Sequence, residues 1–323
     1  MFDVSIIIPT YNRCGLLSQA IDSCVRQIDD GKIEVQIIVI DDASTDLTYE
    51  VLEKYGDSIE TMLKPRNEGQ AKGRNNGIKK ASGRYVKFLD SDDILVDGIL
   101  HEEISLADYE NADIVVSGWG EVEIDDKGRH IAGTEKLYSA PCMEPLTDAV
   151  LLGRSPVTSA ALYKRSYIEK LEWDPSVRKL DDWDWFVRAA LQQGKVISLN
   201  SLSYWWRQHS GKRITSSSSM LLNAVEHHKI LKKMEEILGD QGELTPHRKK
   251  RLAQYYYKEL RVLSLYDRDR FNNAVEHIYS LDPAFVPVDE ERQYYMRILG
   301  RLLGIRRSLL LHSFVKKLLK KDI

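Results

Sequence analysis

Four consecutive residues, Asp90-Ser91-Asp92-Asp93, follow the apolar run Tyr85-Val86-Lys87-Phe88-Leu89 directly. Carboxylates at the first and third places of an extended segment point to the same side. There they could share a divalent ion and its ligand. Hard ions such as Mg²⁺ and Mn²⁺ take oxygen ligands and keep positions open for phosphate oxygens. The competing reading is structural, because Asp is also favoured just before a helix begins. What separates the two is the company the cluster keeps.

That company follows from the elements that must carry it. Val4 to Ile8 is a β-branched run closed by Pro9, which suits a buried strand. Leu16, Leu17, Ile21, Cys24, Val25 and Ile28 then recur at the spacing of an amphipathic helix. Residues 35–40 predict a second strand running into Asp41-Asp42, with Ser44 or Asp46 as cap of the next helix. Residues 59–63 predict a third strand, 69–81 a helix after a Gly-rich loop, and 85–89 a fourth strand. Strands alternating with helices imply a parallel sheet covered on both faces. Ligands of such sheets sit beyond the carboxyl ends of the strands. Here those ends carry Tyr11, Asp41-Asp42 and Asp90 to Asp93.

Beyond residue 100 the pattern mixes. Strands are predicted at 114–117, 159–163 and 196–199, a turn at 125–128 and a helix at 182–193. Ser216 to Ser219 mark a boundary, and nearly everything after it has helical period. The 323 residues are enough for a real core without disulfides or a structural metal. Cys14, Cys24 and Cys142 show no metal-binding spacing and read as ordinary thiols of a reducing compartment. No secretory signal and no apolar run of about 20 residues is visible, which predicts a cytoplasmic protein. The net charge of −3 is unevenly spread: residues 292–323 hold nine Lys/Arg against one Asp, leaving −11 on the rest. Apolar residues recur at helical spacing through this basic tail. It could lie on the anionic inner face of the cell membrane, or pack on its own catalytic domain or a second subunit. Nucleic acid is not the expected partner, since the body is acidic and no base-reading fold is legible.

Four segments in order carry a resemblance: Pro9-Thr10-Tyr11-Asn12-Arg13, then Val39 to Asp46, then Asn67-Glu68-Gly69 with Gly73-Arg74-Asn75, then Phe88 to Asp93. Together they resemble the family-2 glycosyltransferases of the GT-A fold, over roughly residues 3–210. The resemblance implies a Rossmann-like α/β fold, a mixed and mostly parallel sheet flanked by helices, as a catalytic domain over 1–215. A helical C-terminal region would occupy 216–323. It also implies roles. Pro9, Thr10 and Tyr11 would line the base pocket, and Asp42 would accept from the base N3–H of a uracil or thymine nucleotide. Asn67, Gly69 and Arg74 would shape the loop near base or diphosphate. Asp90 and Ser91 would lie on the sugar side, and Asp92 would ligate Mn²⁺ or Mg²⁺.

Asp181-Asp182-Trp183-Asp184 resembles the family's acceptor-side segment, although Asp181 stands where Glu is more usual. Asp182 would be the general base of an inverting transfer, or a helix cap, with Asp181 and Asp184 as substitutes. His209 would complete the metal site and Arg207 would steady the diphosphate or pair with the acidic helix. Trp183, Trp185, Trp205 and Trp206 would divide between a sugar-stacking wall and core packing. The expected activity is transfer from a nucleotide-diphosphate sugar to a saccharide or lipid-linked acceptor. The rivals are a nucleotidyltransferase and a non-catalytic saccharide-binding module. Pro9 to Arg13 is not the Gly-rich phosphate loop that the first would carry.

Overall fold

The computed structural model describes residues 2–28, 31–141, 146–151, 157–209 and 220–287, together with Gly304, Arg306, Arg307 and Leu310. The chain divides into two compact units, Met1–Lys212 and Arg213–Ile323.

The first unit begins with β1 (Val4–Thr10), α1 (Cys14–Val25), β2 (Val35–Asp41), α2 (Thr48–Glu53), β3 (Glu60–Leu63), α3 (Gln70–Lys80) and β4 (Tyr85–Phe88). Every residue of β1 and β2 is buried, as expected of strands covered on both faces. The order β3-β2-β1-β4 is parallel throughout. Then come β5 (Ile94–Leu95), α4 (Ile99–Glu110), β6 (Ile114–Glu123), β7 (Lys136–Tyr138), α5 (Leu146–Leu151), β8 (Ala161–Lys164), α6 (Arg165–Ile168), α7 (Asp181–Ala190) and β9 (Val196–Gln208). Here the sheet becomes mixed. β8 runs antiparallel between β4 and β6, β9 is parallel to β6, and β5 and β7 are antiparallel to β9 and β6. The short strand expected at 196–199 and the aromatic segment after it are one long strand. Irregularities at Ser117/Gly118 and Gly118/Gly120 keep β6 and β9 paired over its length.

Two details position the site. α3 lies close on β1, because a Cβ at Gly77 would stand 2.2 Å from Ile7 Cγ2. β4 is fixed from below by Lys87, fully buried, whose Nζ donates to Glu103 at 2.7 and 2.8 Å and to Ser203 at 2.8 Å. Ser117 also donates to Glu103, at 2.7 Å. A buried ion pair is tolerable only with its remaining hydrogen bonds made, as they are here.

The second unit contains α8 (Met220–Asp240), α9 (Pro246–Tyr266) and α10 (Arg268–Leu281). Thr245 caps α9 with Pro246 in its first turn, and Asp267 caps α10. Glu259, buried, receives His227 and His228, while Glu235 receives His277 at 2.6 Å. The boundary serines and almost all of the basic tail 292–323 lie outside the described residues. Among the described residues no helix is long and apolar enough to cross a membrane.

Candidate functional site

The carboxyl ends of β1, β2 and β4 meet, and side chains tie their loops together. Asn12 takes a left-handed φ of 50°. Its N–H donates to Ser44 Oγ at 2.8 Å, and its Oδ1 accepts from Thr45 N–H at 2.8 Å. Ser44 donates to Asp41, and Asp46 accepts from Cys14 N–H at 3.2 Å. Tyr11 stands on this tied base with 45% of its surface exposed, whereas Pro9 and Thr10 are buried beneath it. Of the three residues assigned to the base pocket, only Tyr11 offers a ring face.

Asp42 is turned into the protein. Only 4% exposed, it accepts from Lys64 Nζ, from Glu68 N–H at 3.0 Å and from Gly69 N–H at 2.7 Å. This network gives Asp42 a structural task. The aspartate after β2 fastens the 64–69 loop, because a buried carboxylate must collect donors. Gly69 leaves that loop at φ 88°, ψ 161°, a region essentially reserved for glycine, and starts α3. Asn67 is exposed on the same loop.

The Asp90 to Asp93 turn splits into distinct jobs. Asp93, 2% exposed, accepts from Arg207 N–H at 2.9 Å, and burial, then Asp92 and Asp90, push its carboxyl well above the usual range. It holds the turn against β9. Ser91 is buried. Asp92 faces outward, its Oδ2 3.0 Å from His209 Nε2 and 3.5 Å from Arg13 Nε. Asp90, with its side chain 41% exposed, accepts from Arg74 Nη2 at 2.8 Å.

Opposite this turn stands the start of α7. The residue before the helix is Leu180, so Asp181 and Asp182 occupy the first turn and neither is the cap. Asp181 is buried and accepts from Gln70 Nε2 at 2.7 Å and Arg74 Nη1 at 3.0 Å. Asp182 accepts from Thr158 Oγ1 at 3.1 Å and keeps 48% of its side chain open. Burial raises its carboxyl to about 7; Arg74 opposes that rise while Asp181 and Asp90 add to it. The group is surrounded by protein yet reachable, and near neutrality it is poised to take a proton. Asp184 is occupied by Arg188 at 2.6 and 2.9 Å and is no substitute base.

Residues 5–172 match the family model described as glycosyl transferase family 2, which is more than half of the chain. The chain belongs to glycosyl transferase family 2. It is 25% identical over 223 residues to the poly(ribitol-phosphate) β-N-acetylglucosaminyltransferase TarS of Staphylococcus aureus. That alignment covers 67% of this chain and 38% of TarS, so the chain spans well under half the length of that relative. It is 22% identical over 222 residues to the glycosyltransferase GlyG of Streptococcus pneumoniae, covering 64% of this chain and 71% of that one. Among solved structures, S. aureus TarS 1–349 in complex with UDP-GlcNAc superposes with a TM-score of 0.70 at 19% identity. That match covers 98% of this chain and 92% of the other, and it shows the GT-A fold.

Within this family-2 domain the two arginines expected near the diphosphate are both buried. Arg207 is 1% exposed, and its guanidinium donates to the Asp92 carbonyl and to Gln19. It braces α1 against the turn instead of facing a diphosphate. Arg74, also 1% exposed, lies under the site, 4.4 Å over the Trp173 ring. The aromatic wall is rearranged too. Trp185 is core, stacked on Trp173 at 4.6 Å, and Trp205 packs over Gly120. Trp206 stays 37% exposed, joined by Trp119 at 5.9 Å and Tyr138, itself 4.0 Å from Trp119. Arg13, Gln70 and Thr158 were not legible as site residues, since each contacts its aspartate across a long stretch of sequence.

Proposed function

We propose that this chain is an inverting glycosyltransferase. It moves a sugar from a UDP- or dTDP-sugar to a saccharide or lipid-linked acceptor, in the assembly of a surface polysaccharide or glycolipid. The observation that carries the reading is the pairing of Asp90 and Asp182 across one guanidinium. It sets a donor-side carboxylate beside an open carboxyl of raised proton affinity. Asp182 takes the proton of the acceptor hydroxyl as that oxygen bonds to the anomeric carbon. The bond from that carbon to the diphosphate breaks, and its electron pair leaves with the diphosphate. The TarS structures in complex with UDP-GlcNAc and UDP support a uridine donor, with Tyr11 stacking on the base.

Asp92 and His209 fit a divalent ion. A carboxylate oxygen and an imidazole nitrogen converge, and that donor set suits Mn²⁺. Among the described residues no group of three or more His, Cys, Asp or Glu could hold a metal. The two would therefore rely on diphosphate oxygens to complete the shell. Such an ion, when bound, offsets the charge of the departing diphosphate. Trp119 on β6, Tyr138 on β7 and Trp206 on β9, the strand that leads to His209, give the acceptor an aromatic face. A second reading, a non-catalytic saccharide-binding module, is disfavoured by the open carboxyl of Asp182. The test is a screen of sugar nucleotides by thermal stabilisation with Mn²⁺, followed by turnover with the donor that binds. No donor-dependent turnover with any UDP- or dTDP-sugar would sink the proposal.

A further inference from the structure

The guanidinium of Arg74 touches both halves of the site. Nη2 donates to Asp90 at 2.8 Å, Nη1 donates to Asp181 at 3.0 Å, and Nη1 lies 3.6 Å from Asp182 Oδ1. Its plane lies on Trp173, and Asn75 fixes that tryptophan through both backbone groups, at 2.7 and 2.9 Å. Arg74 Nε is buried without a partner. A side chain placed only for stability would be expected to use that donor, whereas this one is aimed by its two terminal nitrogens.

We propose that Arg74 is a positioning residue that couples the donor half of the site to the acceptor half. It holds Asp90 with one arm and Asp181 with the other, so that Asp182 remains the open carboxylate. This rests on the transfer reading above. Asp181 acts as the buried counter-charge, and Gln70 completes its shell. Asp182 has Thr158 as its own hydrogen-bond donor and feels the guanidinium at longer range. Among the described residues, the charged and titratable groups around Asp182 are Arg74 from α3, Asp90 from the end of β4, its neighbour Asp181, Tyr163 from β8 and Tyr204 from β9. Arg74 is the cation among them. It therefore opposes the like charge that Asp181 places beside Asp182.

The chemistry gives a sign. Without the cation, Asp182 sits beside two like charges, and its ionised form becomes harder to reach. The acid limb of kcat/KM should move to higher pH in Arg74→Met, while Arg74→Lys, which keeps charge but loses the fork, should return part of the way. An adjacent Arg shifts a carboxyl by roughly 1–3 units, so a displacement of about one unit or more is expected.

The experiment uses the full chain. Carboxyl carbons are labelled with ¹³C-aspartate, the Asp182 resonance is assigned by its loss in Asp182→Asn, and its titration midpoint is read by NMR. Wild type, Arg74→Met, Arg74→Lys and the double variant Arg74→Met/Asp181→Asn are compared. The double variant removes the buried cation and its counter-charge together, and guards against an unfolded single variant. The expected result is a midpoint raised in Arg74→Met and nearer wild type in Arg74→Lys and in the double variant. An unchanged midpoint in folded Arg74→Met overturns the proposal. So does a midpoint in the double variant that stays as high as in Arg74→Met. Because the titration needs no turnover, absence of transfer activity would count against the transfer reading alone.

Discussion

Asp92 Oδ2 and His209 Nε2 stand 3.0 Å apart although 117 positions separate them in the sequence. The turn after β4 supplies one and the end of β9 the other. The β5–β9 pairing, Ile94 against Trp205 and Leu95 against Tyr204, brings the two segments together. The metal proposal rests on that contact.

Asp92→Ala should abolish the Mn²⁺-dependent part of UDP affinity. His209→Ala should weaken it by about tenfold, the scale seen when one supporting contact of a metal site is lost. Calorimetric titration of UDP with and without Mn²⁺ measures both. Equal affinity in the two conditions for wild type would remove the metal assignment.

Asp182→Asn should keep nucleotide binding and lower transfer by roughly 10²–10⁴-fold, the usual contribution of a positioned base. Because the carboxyl is raised to about 7, kcat/KM of the wild type should climb through neutrality and level off above it. Stability gives an independent sign. The folded state binds this proton more tightly than the unfolded chain does, so folding loses stability as pH rises from about 4 toward 7. Melting temperatures of Asp182→Asn and wild type should match near pH 4 and diverge in favour of the variant by pH 8.

Asp42→Ala leaves Lys64 buried near Glu68 alone and frees two backbone donors. Breaking a buried pair from one side costs about 3–5 kcal/mol, which urea unfolding would show. Gly69→Ala, forced into φ 88°, ψ 161°, should cost about 1–3 kcal/mol. Both should loosen nucleotide binding, and a wild-type Kd in either would show that the loop plays no part in it.

Trp206→Ala and Tyr138→Ala should raise the acceptor KM while leaving the donor Kd unchanged. Steady-state kinetics at saturating donor read the difference. A change confined to donor binding would place these rings on the other side of the site.

Removing residues 292–323 should release the protein from vesicles containing anionic phosphatidylserine, at low salt first, as expected for a basic amphipathic segment. Co-sedimentation decides it. Full-length protein that never sediments with such vesicles would leave the tail a protein-packing element.

The alternation of strands and helices is legible as far as β4, most plainly where β-branched residues dominate, in Val4 to Ile8 and Val35 to Ile40. In the mixed half the elements at 114–117, 159–163 and 182–193 are legible too, but the strand directions are not. β8 runs antiparallel to two neighbours, and nothing in Ala161 to Lys164 states a direction. Of β9 only 196–199 is expected as a strand, because Asn200 to Ser203 interrupt the apolar run before the aromatic segment.

Among site residues, chemistry was legible where a charged side chain follows an apolar strand, as with Asp90 and Asp92. What the sequence by itself determined is therefore which acids stand at strand ends and which family motifs they belong to. Only the tertiary structure decided which of them face the cleft. Asp42, Arg207 and Asp93 carry the right chemistry but are 4%, 1% and 2% exposed, turned inward by donors and acceptors from distant segments. Asp182 differs from Asp181 by one position, and 3.6 Å rather than 3.0 Å to a buried guanidinium leaves it the open one. Residue type and order fix the available charges. Whether a charge is satisfied internally or left for a ligand depends on neighbours that only folding supplies.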